Sequence, residues 1–317
     1  MTLALAPLAG FTDAPFRRMC FEGGADLAYT EMVSAAGLAH SSSPTRHLME
    51  TMEGEGPVAC QLFGAREADL AFAAAEVERV RSRFVELNLN AGCPMTKVTR
   101  EGAGAKLIES PELIYRLLTA MRENCSLPIT LKTRLGPHPA RTAIFEIADA
   151  AARAGASALI VHARYTSQMH GGEVRLDTLA EVVRRATIPV IGNGSVTNGA
   201  SLAAMARTGV AGVMIGRAAL SDPGIFGRLK NGVAVPGEAE TGAAVAARHL
   251  RYLLEFRRKL AENFPNDRIP SEDAFASVKL HTHLFRYFNG RPGAAALRAR
   301  LNSIRTLREI YGIITGQ

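Results

Sequence analysis

The chain has 317 residues, of which 47% are hydrophobic and 21% are charged. These proportions are typical of a globular protein and exclude a disordered or collagen-like chain. The sequence has no run of about 18 apolar residues without a charge, and its N-terminus lacks the basic segment of a signal peptide. We therefore expect a cytoplasmic protein that does not insert into a membrane.

The formal net charge of +7 is concentrated near the C-terminus. Residues 1–236 carry a net charge of +2, whereas residues 237–317 carry +5. A cationic segment of this kind suits a polyanion, although a solvated helical face would have the same composition. The four cysteines show no CxxC spacing and no HExxH motif occurs, so we expect neither a metal site nor a disulfide framework.

Eight short apolar runs recur along the first two thirds of the chain. They are Leu3–Ala6, Leu27–Thr30, Val58–Leu62, Phe84–Leu89, Ile129–Thr133, Ala158–His162, Pro189–Gly192 and Gly212–Ile215. Such runs are typical of strands buried on both faces of a parallel sheet, and helical patterns separate most of them. The alternation predicts a (β/α)8 TIM barrel. A doubly wound open sheet is the alternative, but no GxGxxG motif follows the first run.

The pattern changes after Arg217. Residues 230–241 are rich in Gly, Pro and acidic residues and are typical of a linker. Three helical patterns follow without a strand, over Ala243–Asn263, Glu272–Phe288 and Pro292–Ile314. We therefore predict two domains, a catalytic barrel in residues 1–236 and a small all-helical domain in residues 237–317.

The active site of a TIM barrel forms at the C-terminal ends of its strands, so polar residues after the apolar runs are the candidates. In such barrels the seventh and eighth loops commonly bind phosphate. Here these loops contain Asn193-Gly194-Ser195 and Gly216-Arg217, which combine small residues with one guanidinium. This indicates a phosphorylated ligand, although two tight turns that need glycine would read the same way.

Two further residues at this end indicate chemistry. Lys132 in the fifth run, if it points into the barrel mouth, can form a Schiff base or donate to an anion such as a reduced flavin. Cys93 lies on a loop between Gly92 and Pro94, whereas the other three cysteines lie in helical or strand patterns typical of packing thiols. A loop thiol at the catalytic end suits a nucleophile or a proton donor.

Six segments of the chain resemble the tRNA-dihydrouridine synthases, flavoenzymes that reduce uridine to 5,6-dihydrouridine in RNA. They are APLAGFTDAPFR (Ala6–Arg17), NLNAGCPMTKVTREGAG (Asn88–Gly104), LKTRLG (Leu131–Gly136), VHAR (Val161–Arg164), GNGSV (Gly192–Val196) and MIGRAAL (Met214–Leu220). The resemblance runs nearly end to end, and the GCPxxKVxxxGxG run is highly specific to the family. The N-terminal motif is similar to that of the bacterial, DusB-like branch.

The resemblance implies FMN at the barrel mouth, with NADPH or NADH as the reductant. The residues that would hold FMN are Pro7, Leu8, Ala9, Gln61, Lys132, His162, Asn193, Gly194, Ser195, Gly216 and Arg217. Cys93 would donate a proton to C5 of uracil, and Asn90 and Arg134 would lie near the substrate or the flavin.

The resemblance also implies that the helical domain binds tRNA, and it gives no sign of an obligate protein partner. Arg298, Arg305 and Arg308 follow i, i+7, i+10 spacing, so they share one face if the last helical pattern is a continuous helix. We therefore expect a cationic stripe that contacts RNA phosphates.

The sequence departs from the family pattern at three places. Ala163 replaces a common Gly, Ser195 replaces a common acid, and the chain has no Trp where the C-terminal domain often carries one. These departures leave three alternatives open: an rRNA target, a small-molecule flavoenzyme that reduces a free pyrimidine, and an RNA-binding module without catalysis. The cationic helical segment favours RNA over a free pyrimidine, and the joint presence of Cys93 and Lys132 favours catalysis.

Overall fold

Parallel strands form a closed barrel in the computed structural model, which describes residues 1–232, 242–288, 301 and 304–316. Within these residues the strands are β1 (Thr2–Leu5), β2 (Leu27–Tyr29), β3 (Val33–Ser34), β4 (Val58–Phe63), β5 (Glu86–Ala91), β6 (Ile129–Arg134), β7 (Ala158–His162), β8 (Val190–Asn193) and β9 (Gly212–Ile215). The ring closes because β1 pairs with both β2 and β9, and β2 pairs with β4. The predicted TIM barrel is confirmed. The short strand β3, which pairs with β4, was not predicted.

Strand β5 shows how the sequence positions side chains inside the barrel. Its residues ELNLNA alternate apolar and polar, and successive side chains of a strand point to opposite faces. Leu87 and Leu89 pack outward in the main apolar core with residues of the surrounding helices. Asn88 and Asn90 therefore face the barrel interior. The prediction placed this strand at Phe84–Leu89, two residues too early, because the apolar Phe84 and Val85 precede the strand.

Helices surround the barrel between its strands. They are α1 (Ala14–Glu22), α2 (Ala35–Ala39), α3 (Ser43–His47), α4 (Glu67–Arg79), α5 (Thr96–Thr99), α6 (Pro111–Asn124), α7 (Ile144–Arg153), α8 (Leu176–Arg185), α9 (Gly199–Ala206), α10 (Arg217–Ser221) and α11 (Ile225–Lys230). Short 3₁₀ turns lie at Arg81–Arg83, Gly104–Glu109 and Thr166–Gln168. Ser110 caps α6 as predicted, because its hydroxyl accepts from the N–H of Leu113 at 3.4 Å. None of the helices that the structure describes is both long and apolar enough to cross a membrane.

The C-terminal region is helical, as predicted, with α12 (Gly242–Asn263), α13 (Glu272–Tyr287) and α14 (Leu307–Thr315) in its described part. We refer to it as the helical region. The predicted domain boundary at residue 236 lies outside the described residues, so the division into domains stays a prediction.

The prediction of one continuous helix over Pro292–Ile314 is wrong at its C-terminal half. Thr306 and Glu309 form a capping box: the Thr306 hydroxyl accepts from the N–H of Glu309, and the Glu309 carboxylate accepts from the N–H of Thr306. This pair starts a new helix at Leu307. Arg305 therefore precedes α14 and does not share a helix face with Arg308, although both are exposed. Arg298 lies outside the described residues.

The helical region packs against the barrel through α12 and α13. Ala14 and Met19 of α1 belong to the same apolar cluster as Leu253 of α12 and Leu280 of α13. Helix α13 also contacts α10, the helix that follows β9. Because α1 follows β1 and α10 follows β9, the helical region lies at the C-terminal ends of these two neighbouring strands.

Candidate active site

Cys93 lies on the loop after β5, and its backbone is held on both sides. Asn90 Oδ1 accepts hydrogen bonds from the N–H groups of Gly92 and Cys93, at 3.1 and 3.0 Å. Arg134 Nε donates to the carbonyl of Gly92 at 2.9 Å, and the carbonyl of Cys93 accepts from the N–H of Ala105 at 2.9 Å. The thiol-bearing residue is partly exposed. The loop therefore presents a reachable thiol in a fixed position.

The glycine spacing after Cys93 has a steric reason. Gly104 has a φ of +61°, and a Cβ built on it would lie 2.6 Å from the carbonyl oxygen of Cys93 and 2.7 Å from Val98 Cγ1. The left-handed backbone and the close approach both require glycine. The motif thus fixes the shape of the loop that carries the thiol.

The other cysteines, Cys20, Cys60 and Cys125, are buried. Burial raises the pKa of the Cys60 thiol to about 12 and that of the Cys125 thiol to about 11. Neutral, buried thiols pack as small apolar side chains, as predicted. Among the residues that the structure describes, no group of three or more His, Cys, Asp or Glu side chains could hold a metal ion.

A row of buried polar side chains runs from the loop after β5 into the barrel. Asn90 Nδ2 donates to Gln61 Oε1 at 2.9 Å, and Gln61 Nε2 donates to Asn88 Oδ1 at 2.7 Å. Asn88 Nδ2 donates in turn to Thr130 Oγ1 at 2.7 Å, and the Thr130 hydroxyl donates to the Glu86 carboxylate. We refer to these five residues as the amide row. Because donors and acceptors match at each step, the row fixes the orientation of Asn90 and hence the loop that it holds.

Lys132 reaches across the barrel mouth from β6 to β8. Its Nζ donates to Asn193 Oδ1 at 3.2 Å, and Asn193 Nδ2 donates to the carbonyl of Met214 at 2.8 Å. Strand β7 lies between β6 and β8, so the contact shows that Lys132 points into the mouth, as its register predicts. Burial lowers the pKa of Lys132 to about 7, and the positive charge of Arg134 adds to this effect.

Four cations meet at the mouth: Lys132, Arg134, Arg164 and Arg217. Burial lowers the pKa of Arg134 to about 10, and the charges of Arg164 and Arg217 contribute. Burial followed by the charge of Arg217 also lowers the pKa of Arg164. In the described part of the chain, no Asp or Glu offsets the charge of Lys132, Arg134 or Arg164. Because partly buried cations without counter-ions are unfavourable, the cluster indicates an anionic ligand.

The loops after β8 and β9 enclose a cavity of about 310 Å³ beside this cluster, which we refer to as the cradle. The residues that line it are Asn193, Gly194, Ser195, Val196, Thr197, Met214, Gly216, Arg217, Ala218 and Arg286. Ser195 has a φ of +54°, which is uncommon outside glycine, and its hydroxyl accepts from Arg164 Nη2 at 2.7 Å. Gly194 has a φ of +134°, and an added Cβ would lie 2.8 Å from Val174 Cγ1. Small residues flanked by guanidinium groups suit a phosphate.

His162 is held neutral beside Arg164. Burial lowers the pKa of His162 far below its ordinary value, and the charges of Lys132 and Arg134 lower it further. Arg164 Nη1 lies 3.3 Å from His162 Nε2. Since a guanidinium can only donate, Nε2 is the acceptor and the ring proton is on Nδ1. The ring therefore offers a neutral donor rather than a charge.

The predicted cofactor residues converge on this end of the barrel, with one exception. A Cβ added to Gly216 would lie 3.9 Å from Leu8 Cδ2, so the loops after β1 and β9 are neighbours. Gln61 is fully buried, and both atoms of its amide are bonded within the amide row, so its role as an FMN ligand stays a prediction. Asn90 and Arg134, predicted near the substrate or flavin, both hold the loop after β5.

A second charged cluster lies where α13 packs on the loops after β1 and β2. We refer to Asp13, Glu31, His249, Lys279 and His283 as the docking face. Lys279 Nζ lies 3.6 Å from Glu31 Oε1 and 3.9 Å from Asp13 Oδ2. Burial opposes the charge of Lys279, but the two carboxylates outweigh it and raise its pKa. His249 and His283 pack edge to face with ring centroids 4.5 Å apart. Burial lowers the pKa of His249 to about 3, and it lowers that of His283 as well.

Sequence reasoning missed three members of the site. Glu86 and Thr130 complete the amide row, and Arg286 lines the cradle. The two-residue alternation of β5 is a readable signal for Glu86, because it places this residue on the same face as Asn88. Arg286 gives no local signal, since its neighbours in the cradle are distant in sequence.

Comparisons with known proteins agree with this site. A family model described as dihydrouridine synthase matches residues 4–311. The tRNA-dihydrouridine synthase B of Klebsiella pneumoniae is 36% identical over 230 residues, which are 72% of this chain and 71% of that protein. The "Probable tRNA-dihydrouridine synthase 1" of Synechocystis sp. is 32% identical over 312 residues, 96% of this chain and 82% of that protein. The solved structure of morphinone reductase has a TM-score of 0.50 over 74% of this chain and 86% of that chain, and at 15% identity it supports the fold alone. The chain belongs to the dihydrouridine synthase family.

Proposed function

We propose that this protein uses FMN and NADPH or NADH to reduce uridines in tRNA to 5,6-dihydrouridine. The observation that carries the proposal is the barrel mouth, where cations without counter-ions adjoin a reachable thiol on a fixed loop. Family membership supports the reaction, and the names of the two relatives support tRNA as the substrate. A cytoplasmic location stays a prediction.

FMN fits the residues of the mouth in two respects. Its phosphate would lie in the cradle among Gly194, Ser195 and Arg217, and Lys132 would stabilise the negative charge of the reduced ring. The neutral His162 would add a hydrogen-bond donor, and Pro7, Leu8 and Ala9 would lie alongside in the neighbouring loop. When bound, FMN supplies the hydride that C6 of uracil receives.

Cys93 would complete the reduction by donating its thiol proton to C5 of uracil. Addition of hydride at C6 leaves an electron pair at C5, which takes the proton and forms the second new C–H bond. The loop holds Cys93 in place before substrate arrives, so little reorganisation is needed. Lys132 and Arg134 both interact electrostatically with Cys93 and would stabilise the thiolate that remains.

The helical region would bind the RNA backbone. Its segment from residue 237 onward carries a net charge of +5, and Arg305 and Arg308 are exposed. Contacts of Lys and Arg with phosphates give affinity without reading sequence. A barrel in residues 1–236 would then hold the chemistry, and residues 237–317 would hold the substrate.

The direct test measures dihydrouridine in RNA. Purified protein is incubated with FMN, NADPH and unmodified tRNA, and nucleosides are analysed by mass spectrometry for the gain of two hydrogen atoms. We expect a yellow protein and dihydrouridine in tRNA, with no reduction of free uracil. A colourless protein that takes up no FMN would contradict the flavin site. Product in rRNA or free uracil, without product in tRNA, would contradict the proposed substrate.

A further inference from the structure

Arg286 brings a guanidinium from the helical region to the cradle of the barrel. It lies in the last turn of α13 and is half-buried. It lines the same cavity of about 310 Å³ as Ser195 and Arg217, which belong to the loops after β8 and β9. The cavity therefore has walls from two parts of the chain that are distant in sequence.

The side chain of Arg286 has no partner within the described part of the protein. The other guanidinium groups around the cradle do: Arg164 donates to Ser195 and to Gly172, and Arg217 donates to the carbonyl of His170. Arg286 forms neither a hydrogen bond nor an ion pair with any residue that the structure describes. A guanidinium carries five N–H donors, so leaving it half-buried without an acceptor is unfavourable. A ligand with several acceptor oxygens in the cavity would satisfy it.

The rest of α13 fixes where Arg286 can reach. Lys279 anchors the helix two turns earlier through Asp13 and Glu31. His283, one turn before Arg286, packs against Phe16 with ring centroids 4.8 Å apart. The helix also packs against α10, which follows the cradle loop of β9. The helix is thus held on both sides of Arg286, and its last turn lies over the cradle.

We propose that Arg286 is a ligand of the FMN phosphate, so that the cofactor is clamped between the barrel and the helical region. This inference rests on the proposed function, because it takes FMN as the occupant of the cradle. A ligand that contacts both parts stabilises their contact, and that contact in turn stabilises the bound ligand. Loss of FMN would therefore loosen α13, and with it the surface proposed to bind RNA.

The test compares FMN with riboflavin, which has the same ring system and no phosphate. Apoprotein of the wild type and of Arg286→Gln is titrated with each flavin, and binding is followed by quenching of flavin fluorescence. The variant should bind FMN about tenfold more weakly, the loss expected for a charge-assisted hydrogen bond. Riboflavin binding should not change. The matched control is Arg258→Gln, which alters an exposed arginine of α12 and should leave both affinities unchanged.

Hydrogen exchange of α13 gives a second readout that does not depend on activity. FMN should slow exchange of the α13 amides in the wild type more than riboflavin does, and Arg286→Gln should remove this difference. If the variant binds FMN as tightly as the wild type, or loses FMN and riboflavin affinity equally, the clamp is wrong while the flavin site stands. If the wild type binds neither flavin, the proposed function itself fails.

Discussion

The barrel mouth and the docking face lie at the same end of the barrel and treat charge in opposite ways. At the docking face Lys279 has two carboxylates, and beside it Arg17 forms two bonds with Glu55, at 2.7 and 3.1 Å. At the mouth, Lys132 and its neighbouring arginines bond only to neutral acceptors among the described residues. Paired charges serve the fold, whereas unpaired cations are unfavourable until a ligand arrives. The contrast identifies the mouth as functional independently of any motif.

The largest expected effect belongs to the thiol of the mouth. Cys93→Ala should lower dihydrouridine formation by about 10²–10⁴-fold, the usual contribution of a general acid. Reduction of bound FMN by NADPH should not change, because it does not use this proton. Stopped-flow absorbance of the flavin and product analysis of tRNA separate the two steps. Cys125→Ala, which alters a buried thiol outside the mouth, should keep wild-type product formation. Wild-type product formation by Cys93→Ala would remove the assignment.

Lys132→Met should weaken FMN binding by about tenfold or more and yet stabilise the apoprotein. The folded pKa of Lys132, about 7, lies below its ordinary value of 10.5. The unfolded state therefore binds more protons between these pH values, so the wild-type apoprotein gains stability as pH rises from 7 to 10.5. The variant should lack this slope. Urea unfolding of both apoproteins near neutral pH and at about pH 9 measures it.

The docking face provides the opposite case to Lys132. Glu31→Gln removes a counter-ion of Lys279 and should lower the unfolding free energy while leaving FMN affinity unchanged. A Lys132→Met apoprotein less stable than the wild type, or a Glu31→Gln protein with impaired FMN binding, would contradict the contrast between the two regions.

Acid should weaken the docking face through its two buried histidines. His249 has a folded pKa of about 3 against an ordinary 6.5, so the unfolded state binds protons in this range that the folded state does not. Stability should therefore fall as pH drops below 6.5, by at most about 1.4 kcal/mol per pH unit for each histidine. His283→Gln should show a shallower fall in urea unfolding between about pH 7 and about pH 5. Equal slopes in the variant and the wild type would rule out this contribution.

The smallest effect concerns the exposed arginines of the helical region. Replacing Arg298, Arg305 and Arg308 with Gln should weaken RNA binding and lower the slope of log affinity against log salt by roughly one unit per lost contact. FMN affinity should not change. Titration of bulk tRNA at several salt concentrations measures both quantities, with Arg184→Gln on the outer face of the barrel as the control. An unchanged salt dependence would mean that these arginines only solvate the surface.

The barrel was predictable because its strands are buried on both faces and read as apolar runs. The two-residue strand β3 is too short to give such a signal. The predicted helix over Pro292–Ile314 failed for a different reason: its apolar spacing continues through residues 304–306, where a side-chain cap interrupts the backbone. The signal for that interruption, a Thr followed three residues later by a Glu, is present in the sequence.

The candidate site was predictable where it depends on single strand ends. Cys93 and Lys132 each follow from their place at the end of an apolar run. The amide row and Arg286 depend instead on which strands and helices become neighbours. A local pattern can place Glu86 on the inner face of β5, but it cannot show that Thr130 lies beside it or that Arg286 completes a cavity on the barrel.

The amide row also has a direction. Its end at the catalytic loop meets backbone N–H groups, which can only donate, so Asn90 must turn its oxygen toward them. Its other end meets a Glu86 oxygen that accepts from both Thr130 and Tyr29. Reversing one amide between these ends would break a bond on each side, so the members can reverse only together. The conformation of the loop that carries the thiol is therefore an all-or-none property, set jointly by the loop and by a carboxylate at the opposite end of β5.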